Sequence, residues 1–291
     1  MAITKATGPV LGNYTVGTGN VALGDTALDS IQSGGNYNAA VGRNSLTATT
    51  TGDNNTGMGN ATLATNSTGD NNTAVGGNAL ENATTADNNT AVGYASLNSN
   101  TTGHSHVAVG KNALLANTTG NYNVAIGTDV LDANTTGGSN VAIGDSALGA
   151  NTTANQNTAV GVNAMAANTT GTQNVAVGGS ALDANTTAND NTAIGYAALG
   201  ANTTGAENTG LGSAAGQSLT TGAESVAVGY SALANTTTGN YNTALGKSAL
   251  GSNTTASNNT AVGKSALASN TTAPNNVAVG SGAGDALTTG G

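Results

Sequence analysis

Apolar residues along this chain recur at a fixed interval of 17 residues, separated by the same pattern of polar residues. Each repeat can be numbered from a glycine at position 0, with Asn at −4, Thr or Val at −3, Ala at −2 and an aliphatic residue at −1. Ala and Leu follow at +3 and +4, and Asn-Thr-Thr and then Gly or Ala usually occupy +7 to +10. The anchoring glycines are Gly24, Gly42, Gly59, Gly76, Gly93, Gly110, Gly127, Gly144, Gly161, Gly178, Gly195, Gly212, Gly229, Gly246, Gly263 and Gly280.

Positions −4 to −1 form a short run, rich in β-branched residues and ended by glycine, which predicts one β-strand per repeat. A unit of 17 residues, or 18 in the first step, is too short for a strand, a helix and two connections. It fits one turn of a solenoid in which the strands of successive coils stack in register. We therefore predict an all-β fold, a parallel β-roll of sixteen coils over residues 20–291, with residues 1–19 as a base or attachment segment.

The two faces of this strand carry different side chains, because successive residues of a strand point to opposite sides. Positions −1 and −3 share one face, which we assign to the core of the coil. Positions −2 and −4 share the other, and they are Ala and Asn respectively in fourteen of the sixteen repeats. A solvated face would vary, so these small residues indicate close approach of another backbone, across the solenoid or across a subunit interface. We favour the interface, in a parallel homotrimer.

Two repeats indicate which other positions point inward. Gly216 and Gly284 replace the leucine at +4, and in the same repeats Leu219 and Leu287 occupy +7. Because the apolar side chain has only changed place, +4 and +7 should both point into the coil. The asparagines usual at +7 should then form an inward ladder, in which each amide bonds to the identical amide of the next coil. They are Asn100, Asn117, Asn134, Asn151, Asn168, Asn185, Asn202, Asn253 and Asn270.

Glycine is present at position 0 in all sixteen repeats, which predicts positive φ or a close backbone approach at a corner. At +10 alanine often replaces glycine, so a left-handed conformation is not expected there. The alanines at +10 are Ala86, Ala154, Ala188, Ala256 and Ala273.

Composition restricts the classes of function. A net charge of −9 with only five Lys and Arg residues provides no cationic surface for a phosphate backbone, so we expect no nucleic-acid partner. The chain has no cysteine for a disulfide or a thiolate metal site. It has neither a signal-peptide-like start nor an apolar segment that could span a bilayer, so we expect cytoplasmic synthesis and no membrane insertion. Its 14 acidic residues are dispersed, which predicts no enzymatic activity and no cofactor.

Variation between repeats is confined to a few positions, where any recognition surface should lie. Position +1 carries every basic residue except Lys5, together with tyrosines, and −5 carries further tyrosines and glutamates. A tyrosine offers an apolar ring and a hydroxyl, which suits contact with a host-surface glycan or protein. The candidate binding residues are Tyr94, Tyr196 and Tyr230 at +1, and Tyr37, Tyr122 and Tyr241 at −5.

The two histidines, His104 and His106, are one residue apart, so strand alternation places both on one face. On the axis of a trimer, three such pairs would offer imidazole ligands to a transition-metal ion. The simpler interpretation is a tolerated substitution, because His106 occupies −4, where Asn is usual. We favour the substitution and predict no metal site.

The strand motif resembles a known repeat. Asn-Val-Ala-Ile-Gly at residues 123–127 and Asn-Thr-Ala-Ile-Gly at residues 191–195 resemble the head repeats of trimeric autotransporter adhesins, which are similar to repeats of bacteriophage tail fibres. The resemblance covers residues 20–290 and implies a trimeric, left-handed parallel β-roll. The coiled-coil stalk, membrane anchor and secretion signal of a complete autotransporter are missing from the sequence, which favours a virion fibre over a bacterial adhesin.

We therefore expect a structural fibre protein, the shaft of a tail fibre or virion fibre that positions a host-contacting tip. Its partners would be further copies of itself, in a homotrimer, and neighbouring fibre or virion proteins at its ends. A host-surface glycan or protein would be a further contact. Two alternatives are open from the sequence: the passenger of a bacterial cell-surface adhesin, and a self-assembling extracellular filament.

Overall fold

The structure of the chain is a computed structural model, which describes residues 17–289. These residues are all-β, with sixteen strands of three residues, one for each repeat, and no helix. The chain divides into two compact units, Met1–Ser139 and Asn140–Gly291. Of the expected attachment segment, residues 1–16 lie outside the described part of the chain.

The strands of each unit follow the predicted period. The first unit contains β1 (Val21–Leu23), β2 (Ala39–Val41), β3 (Thr56–Met58), β4 (Thr73–Val75), β5 (Thr90–Val92), β6 (Val107–Val109) and β7 (Val124–Ile126). The second contains β8 (Val141–Ile143), β9 (Thr158–Val160), β10 (Val175–Val177), β11 (Thr192–Ile194), β12 (Thr209–Leu211), β13 (Val226–Val228), β14 (Thr243–Leu245), β15 (Thr260–Val262) and β16 (Val277–Val279). Within each unit every strand pairs in parallel with the next, as where Ala176 pairs with Ala193. The predicted parallel β-solenoid is confirmed.

Hydrogen bonds between coils continue outside the strands. The Leu182 N–H donates to the Ala198 carbonyl oxygen at 3.1 Å, and the Thr186 N–H donates to the Thr203 carbonyl oxygen at 3.1 Å. The Thr186 hydroxyl donates to that same carbonyl oxygen, also at 3.1 Å. The segments between strands therefore join neighbouring coils as the strands do, although their backbone is irregular.

The strand faces are the reverse of those predicted. The side chains at −2 and −4 are buried inside the coil, and those at −1 and −3 lie on its outer surface, where they are half-buried or exposed. In β10, Ala176 is buried, while Val175 and Val177 are only partly so. The assignment of −2 and −4 to a subunit interface is therefore wrong, and the small residues face the interior of the solenoid.

The narrow interior explains this orientation. The leucine at +4 is fully buried and fills the centre of the coil, as Leu199 does. A methyl group added to Gly210, which occupies −2 in β12, would lie 2.9 Å from Leu199 Cγ of the preceding coil. A single Cβ would already be too close to the leucine there, so an aliphatic side chain of the size found at −1 would force the packed atoms apart. The large aliphatic residues at −1 consequently point outward.

The corner glycines have the conformation that the repeat predicted. Their φ angles lie between 121° at Gly76 and 145° at Gly24, a region that other residues avoid. The space is also closed, because a Cβ on Gly161 would lie 2.6 Å from the carbonyl oxygen of Gly178. None of the five alanines at +10 has positive φ, which confirms the contrast between the two positions.

Three other positions of the coil adopt left-handed backbone without glycine, and the sequence pattern did not predict them. They are +2, +4 and −5, and the leucines at +4 have φ between 49° at Leu63 and 56° at Leu114. Gly216 and Gly284, which replace leucine at +4, have φ of 61° and 64°. A left-handed leucine costs about 1–2 kcal/mol. Burial of the whole side chain, worth about 1.5–3 kcal/mol, offsets that cost.

Candidate functional site

Two columns of asparagine side chains run inside the coils. At −4, the Asn191 backbone N–H donates to Asn174 Oδ1 at 2.9 Å, and Asn191 Nδ2 donates to the Gly205 carbonyl oxygen at 3.0 Å. At +7, Asn185 Nδ2 donates to Asn168 Oδ1 at 2.8 Å. The column at +7 confirms the predicted ladder from Asn100 to Asn134 and from Asn151 to Asn202. Asn253 and Asn270 do not continue it, because Asn253 Oδ1 has no hydrogen-bond partner and Asn270 Nδ2 donates to the Ala273 carbonyl oxygen. The column at −4 is a second ladder, which the sequence argument had placed on the opposite face.

The two ladders meet at the carbonyl group of position +10. The Ala188 carbonyl oxygen accepts hydrogen bonds from Asn174 Nδ2 at 2.8 Å and from Asn185 Nδ2 at 3.2 Å, which uses both of its lone pairs. Leu219 interrupts the ladder at +7, and Asn202 Oδ1 in the preceding coil has no hydrogen-bond partner. Most polar side chains inside the described coils are thus engaged in holding coils together.

His106 takes the place of asparagine in the ladder at −4 and reproduces its hydrogen bonds. The ring is buried, with Nε2 at 2.7 Å from the Gly120 carbonyl oxygen and Nδ1 at 3.1 Å from the Asn123 backbone nitrogen. A neutral ring with its proton on Nε2 satisfies both contacts, because Nε2–H donates as an amide nitrogen would and Nδ1 accepts as an amide oxygen would. His106 is therefore a structural replacement for asparagine.

The prediction that His104 and His106 share a face is wrong. Ser105 between them has φ of 60°, which breaks the alternation of an extended strand. His104 is only partly buried, and its ring packs edge-on against Tyr122 with centroids 4.9 Å apart. Both ring nitrogens of His106 are occupied by hydrogen bonds inside the coil, so the pair cannot present ligands on one surface.

The folded chain should lose stability as the pH falls below about 6.5, through His106. Burial lowers the pKa of His106 from 6.5 to about 4, because the charged ring would lose its hydration, although the hydrogen bond from Nε2 to the Gly120 carbonyl oxygen partly offsets the effect. Between these values the unfolded chain binds a proton that the folded chain does not. The free energy of unfolding should therefore fall across this window, by about 3 kcal/mol in total.

The measurement is the free energy of unfolding at pH 7 and pH 4.5 for the wild type and for His106→Asn. The variant restores the usual ladder residue and should lose this part of the pH dependence. Burial raises the pKa of Asp132 and of Asp183, and comparison of the two proteins cancels such carboxylate contributions. An identical pH dependence in both proteins would show that His106 does not titrate as described.

The stripe at +1 is exposed, and its tyrosines lie along it. Tyr94, Tyr196 and Tyr230 have between 57% and 69% of their surface exposed. Tyr94 and Tyr196 each lie beside a glycine at +1 of the preceding coil, where an added Cβ on Gly77 or Gly179 would be 3.6 Å from the tyrosine Cδ2. Glycine occurs at +1 only at these two positions, so the sequence itself carried a signal of this contact.

The remaining candidate tyrosines do not form a common site. Lys247 Nζ lies 5.7 Å from the ring centroid of Tyr230 in the preceding coil, within the range of a cation–π contact. At −5, Tyr37, Tyr122 and Tyr241 are exposed and have φ of 57–59°. Tyr37 and Tyr122 are five coils apart, and Tyr241 belongs to the other unit. Tyr37 and Tyr122 therefore do not contact one another in the first unit.

Within residues 17–289, no group of three or more His, Cys, Asp or Glu side chains is placed to hold a metal ion. In the same range no helix is long and apolar enough to cross a membrane.

No protein-family model and no curated protein matches the chain. The candidate surfaces are therefore the exposed stripes at +1 and −5, carried on coils whose interiors are filled.

Proposed function

We propose that this chain is the shaft of a structural fibre, a bacteriophage tail fibre or virion fibre, which holds a host-contacting tip away from the particle. The observation that carries the proposal is the regularity of the coils. Sixteen strands of equal length follow one another with one extra residue in the first coil and no inserted loop between them. Recognition surfaces usually depart from their scaffold through a loop or a pocket, whereas added coils provide length.

The interactions inside the coils support a mechanical role. Within each unit, successive coils are joined by strand bonds, by backbone bonds in the intervening segments and by the two asparagine ladders. A load is shared by many hydrogen bonds, and the energetics of a solenoid depend on neighbouring coils alone. The proposal includes no catalytic step and no cofactor, because most of the buried polar groups of the ladders hold neighbouring coils together.

The proposed setting is the virion, with the chain made in the cytoplasm of the host cell. The proposed partners are further copies of the chain, in a homotrimer, and neighbouring fibre or virion proteins at its ends. The exposed acidic and neutral surface disfavours nucleic acid, since four of the five basic residues are spread singly along the +1 stripe.

Replacing Tyr94, Tyr196 and Tyr230 together with serine should leave attachment of the parent particle to its host unchanged. A shaft needs the number of its coils rather than the identity of its surface residues, and serine already occupies +1 at Ser213 and Ser281. The measurement is the attachment rate of particles that carry the variant, with thermal melting to show that the chain is folded.

A second variant, with Tyr37, Tyr122 and Tyr241 changed to asparagine, tests the stripe at −5 in the same assay. Asparagine is frequent at that position and suits its left-handed backbone better than tyrosine does. Loss of attachment by a folded variant of either kind would place the receptor site on that stripe and overturn the shaft proposal.

A further inference from the structure

The outer face of the strands carries no charged residue in any coil, with an aliphatic residue at −1 and Thr in eight coils, Val in seven or Ala in one at −3. This outer strand face consists of the side chains at −1 and −3 of β1–β7 in the first unit and of β8–β16 in the second. Position −1 is Val, Ile, Leu or Met in all sixteen coils, and no residue from −3 to −1 is charged. Leu211, Leu245 and Met58 are 44%, 46% and 51% exposed. A row of half-buried or exposed aliphatic side chains at one position of every coil is typical of a surface that is covered in the working protein.

The stripe at +1 shows that an outward-facing position of the coil need not be aliphatic. Two residues further along, position +1 is also exposed, and it varies freely among Asp, Arg, Lys, Asn, Gly, Ser, Thr, Val and Tyr. Position −1 lies in a strand, which favours β-branched residues, whereas +1 lies in a turn. Threonine is also favoured in strands and is common at −3, yet it never occurs at −1, so strand propensity alone does not account for the restriction of −1 to aliphatic residues.

We propose that the outer strand face packs against the same face of the other copies of this chain in the proposed homotrimer. The inference rests on the proposed function and identifies the surface through which the shaft associates. The face repeats once per coil, so a partner that covers it must present side chains at the same spacing, which a second copy does. Although the chain carries a net charge of −9, no charged residue lies on the face. Two copies can therefore meet there without burying a charge.

The size of the face favours an occupant that extends along many coils. With strands about 4.8 Å apart and about 10 Å long, the nine strands of the second unit present roughly 430 Å² of flat surface, and the seven of the first roughly 340 Å². A standard protein interface takes about 800 Å² from each partner. Stable association therefore needs a partner that covers most of the stripe, and a small ligand would leave most of it in water.

The test is the mass of the full-length chain in solution, measured by sedimentation equilibrium. Val160, Val177 and Ile194 are each changed to lysine, which places three charges on the outer strand face of successive coils. The matched control introduces lysine in the same region at +1, by changing Val162, Gly179 and Tyr196, because lysine is native to that stripe in other coils. A third variant carries threonine at the three −1 positions, in case the lysines disturb the strands, since threonine is common at −3.

We expect the wild type and the +1 control to have the same mass in solution, a whole multiple of the mass of one chain that is larger than one. The lysine variant at −1 should be a monomer with unchanged circular dichroism, and the threonine variant should dissociate at least tenfold more readily than the wild type. A folded lysine variant that keeps the wild-type mass would overturn the interface. A wild type that is monomeric at about 100 μM would also overturn the interface. The shaft proposal is tested separately, by the tyrosine variants.

Discussion

Replacing Gly161 with valine should destabilise the second unit by more than about 4 kcal/mol, a loss seen only where a specific structural requirement is broken. Gly161 has φ of 139°, which a β-branched residue is strongly disfavoured from adopting. Its Cβ would also lie 2.6 Å from the Gly178 carbonyl oxygen, so the backbone would have to move. That movement would weaken the bond from the Gly161 N–H to the Ile143 carbonyl oxygen, now 2.8 Å long. The measurement is chemical denaturation followed by circular dichroism.

The neighbouring residue provides the control. Val162 occupies +1 and is 54% exposed, so Val162→Thr should change the free energy of unfolding by no more than about 0.5 kcal/mol. Gly161→Ala adds only the Cβ, so its loss in the free energy of unfolding should fall between those of the other two variants. The comparison separates the effect of the steric clash at Cβ from the effect of β-branching. If Gly161→Val and Val162→Thr cost equally little, the assignment of corner and exposed stripe is incorrect.

The coil and its corners could be predicted from the sequence because the sixteen repeats can be compared with one another, position by position. A glycine kept in every coil requires a backbone reason, and the alanines at +10 show that a neighbouring position lacks one. In one repeat, Gly216 replaces the leucine at +4 and Leu219 occupies +7, and this change of place identified two inward positions from the sequence alone. These inferences depended on differences between repeats, and the fold bears them out: Leu219 is buried, as is the ladder at +7.

The orientation of the strand could not be predicted in the same way. Alternation separates −1 and −3 from −2 and −4, but it does not say which pair faces inward. Burial preference favoured the aliphatic residues, since valine is more often buried than asparagine. The deciding fact is the space left by the leucine at +4, which admits only a small residue such as Ala176. That space depends on how the segment from +1 to +7 folds, and the left-handed leucines that shape it leave no mark in the sequence.

The candidate sites show the same limit. The exposed stripes at +1 and −5 were found from their variability, and the tyrosines lie on them. The pairing of His104 with His106 failed because one left-handed residue, Ser105, lies between them. Position −5 is occupied by Tyr, Asn, Gln, Ser, Asp and Glu, so the residue types at this position did not indicate its left-handed backbone. The outer strand face was missed for a related reason, since its residues had been assigned to the core.

Removing whole coils should leave the second unit folded. Deletion of residues 162–195 removes two coils with β10 and β11, and joins Gly161 directly to Tyr196 at the correct position of the repeat. Leu148 and Asn151 are then followed, one coil later, by Leu199 and Asn202, so both the apolar centre and the ladder at +7 continue. Because each coil interacts with its neighbours alone, the loss of stability should be small.

A deletion that ends out of register provides the matched control. Removing residues 162–186 takes away fewer residues but joins Gly161 to Thr187, so position 0 is followed by +9. The shortened coil lacks the leucine at +4 and the asparagine at +7, and it cannot enclose the interior of its neighbours. We expect this smaller deletion to cost several kcal/mol, through unfilled space and unpaired amides.

The direct measurement is thermal unfolding of the wild type and the two deletions, followed by circular dichroism at the same concentration. The coil is proposed as an interchangeable unit of length, so the deletion of residues 162–195 should unfold cooperatively within a few degrees of the wild type. The deletion of residues 162–186 should melt roughly 10 °C lower or more, at about 2–4 °C per kcal/mol for a unit of this size. If the larger, in-register deletion were the more damaging of the two, the coil would not be an interchangeable unit and the account of the chain as a shaft would be contradicted.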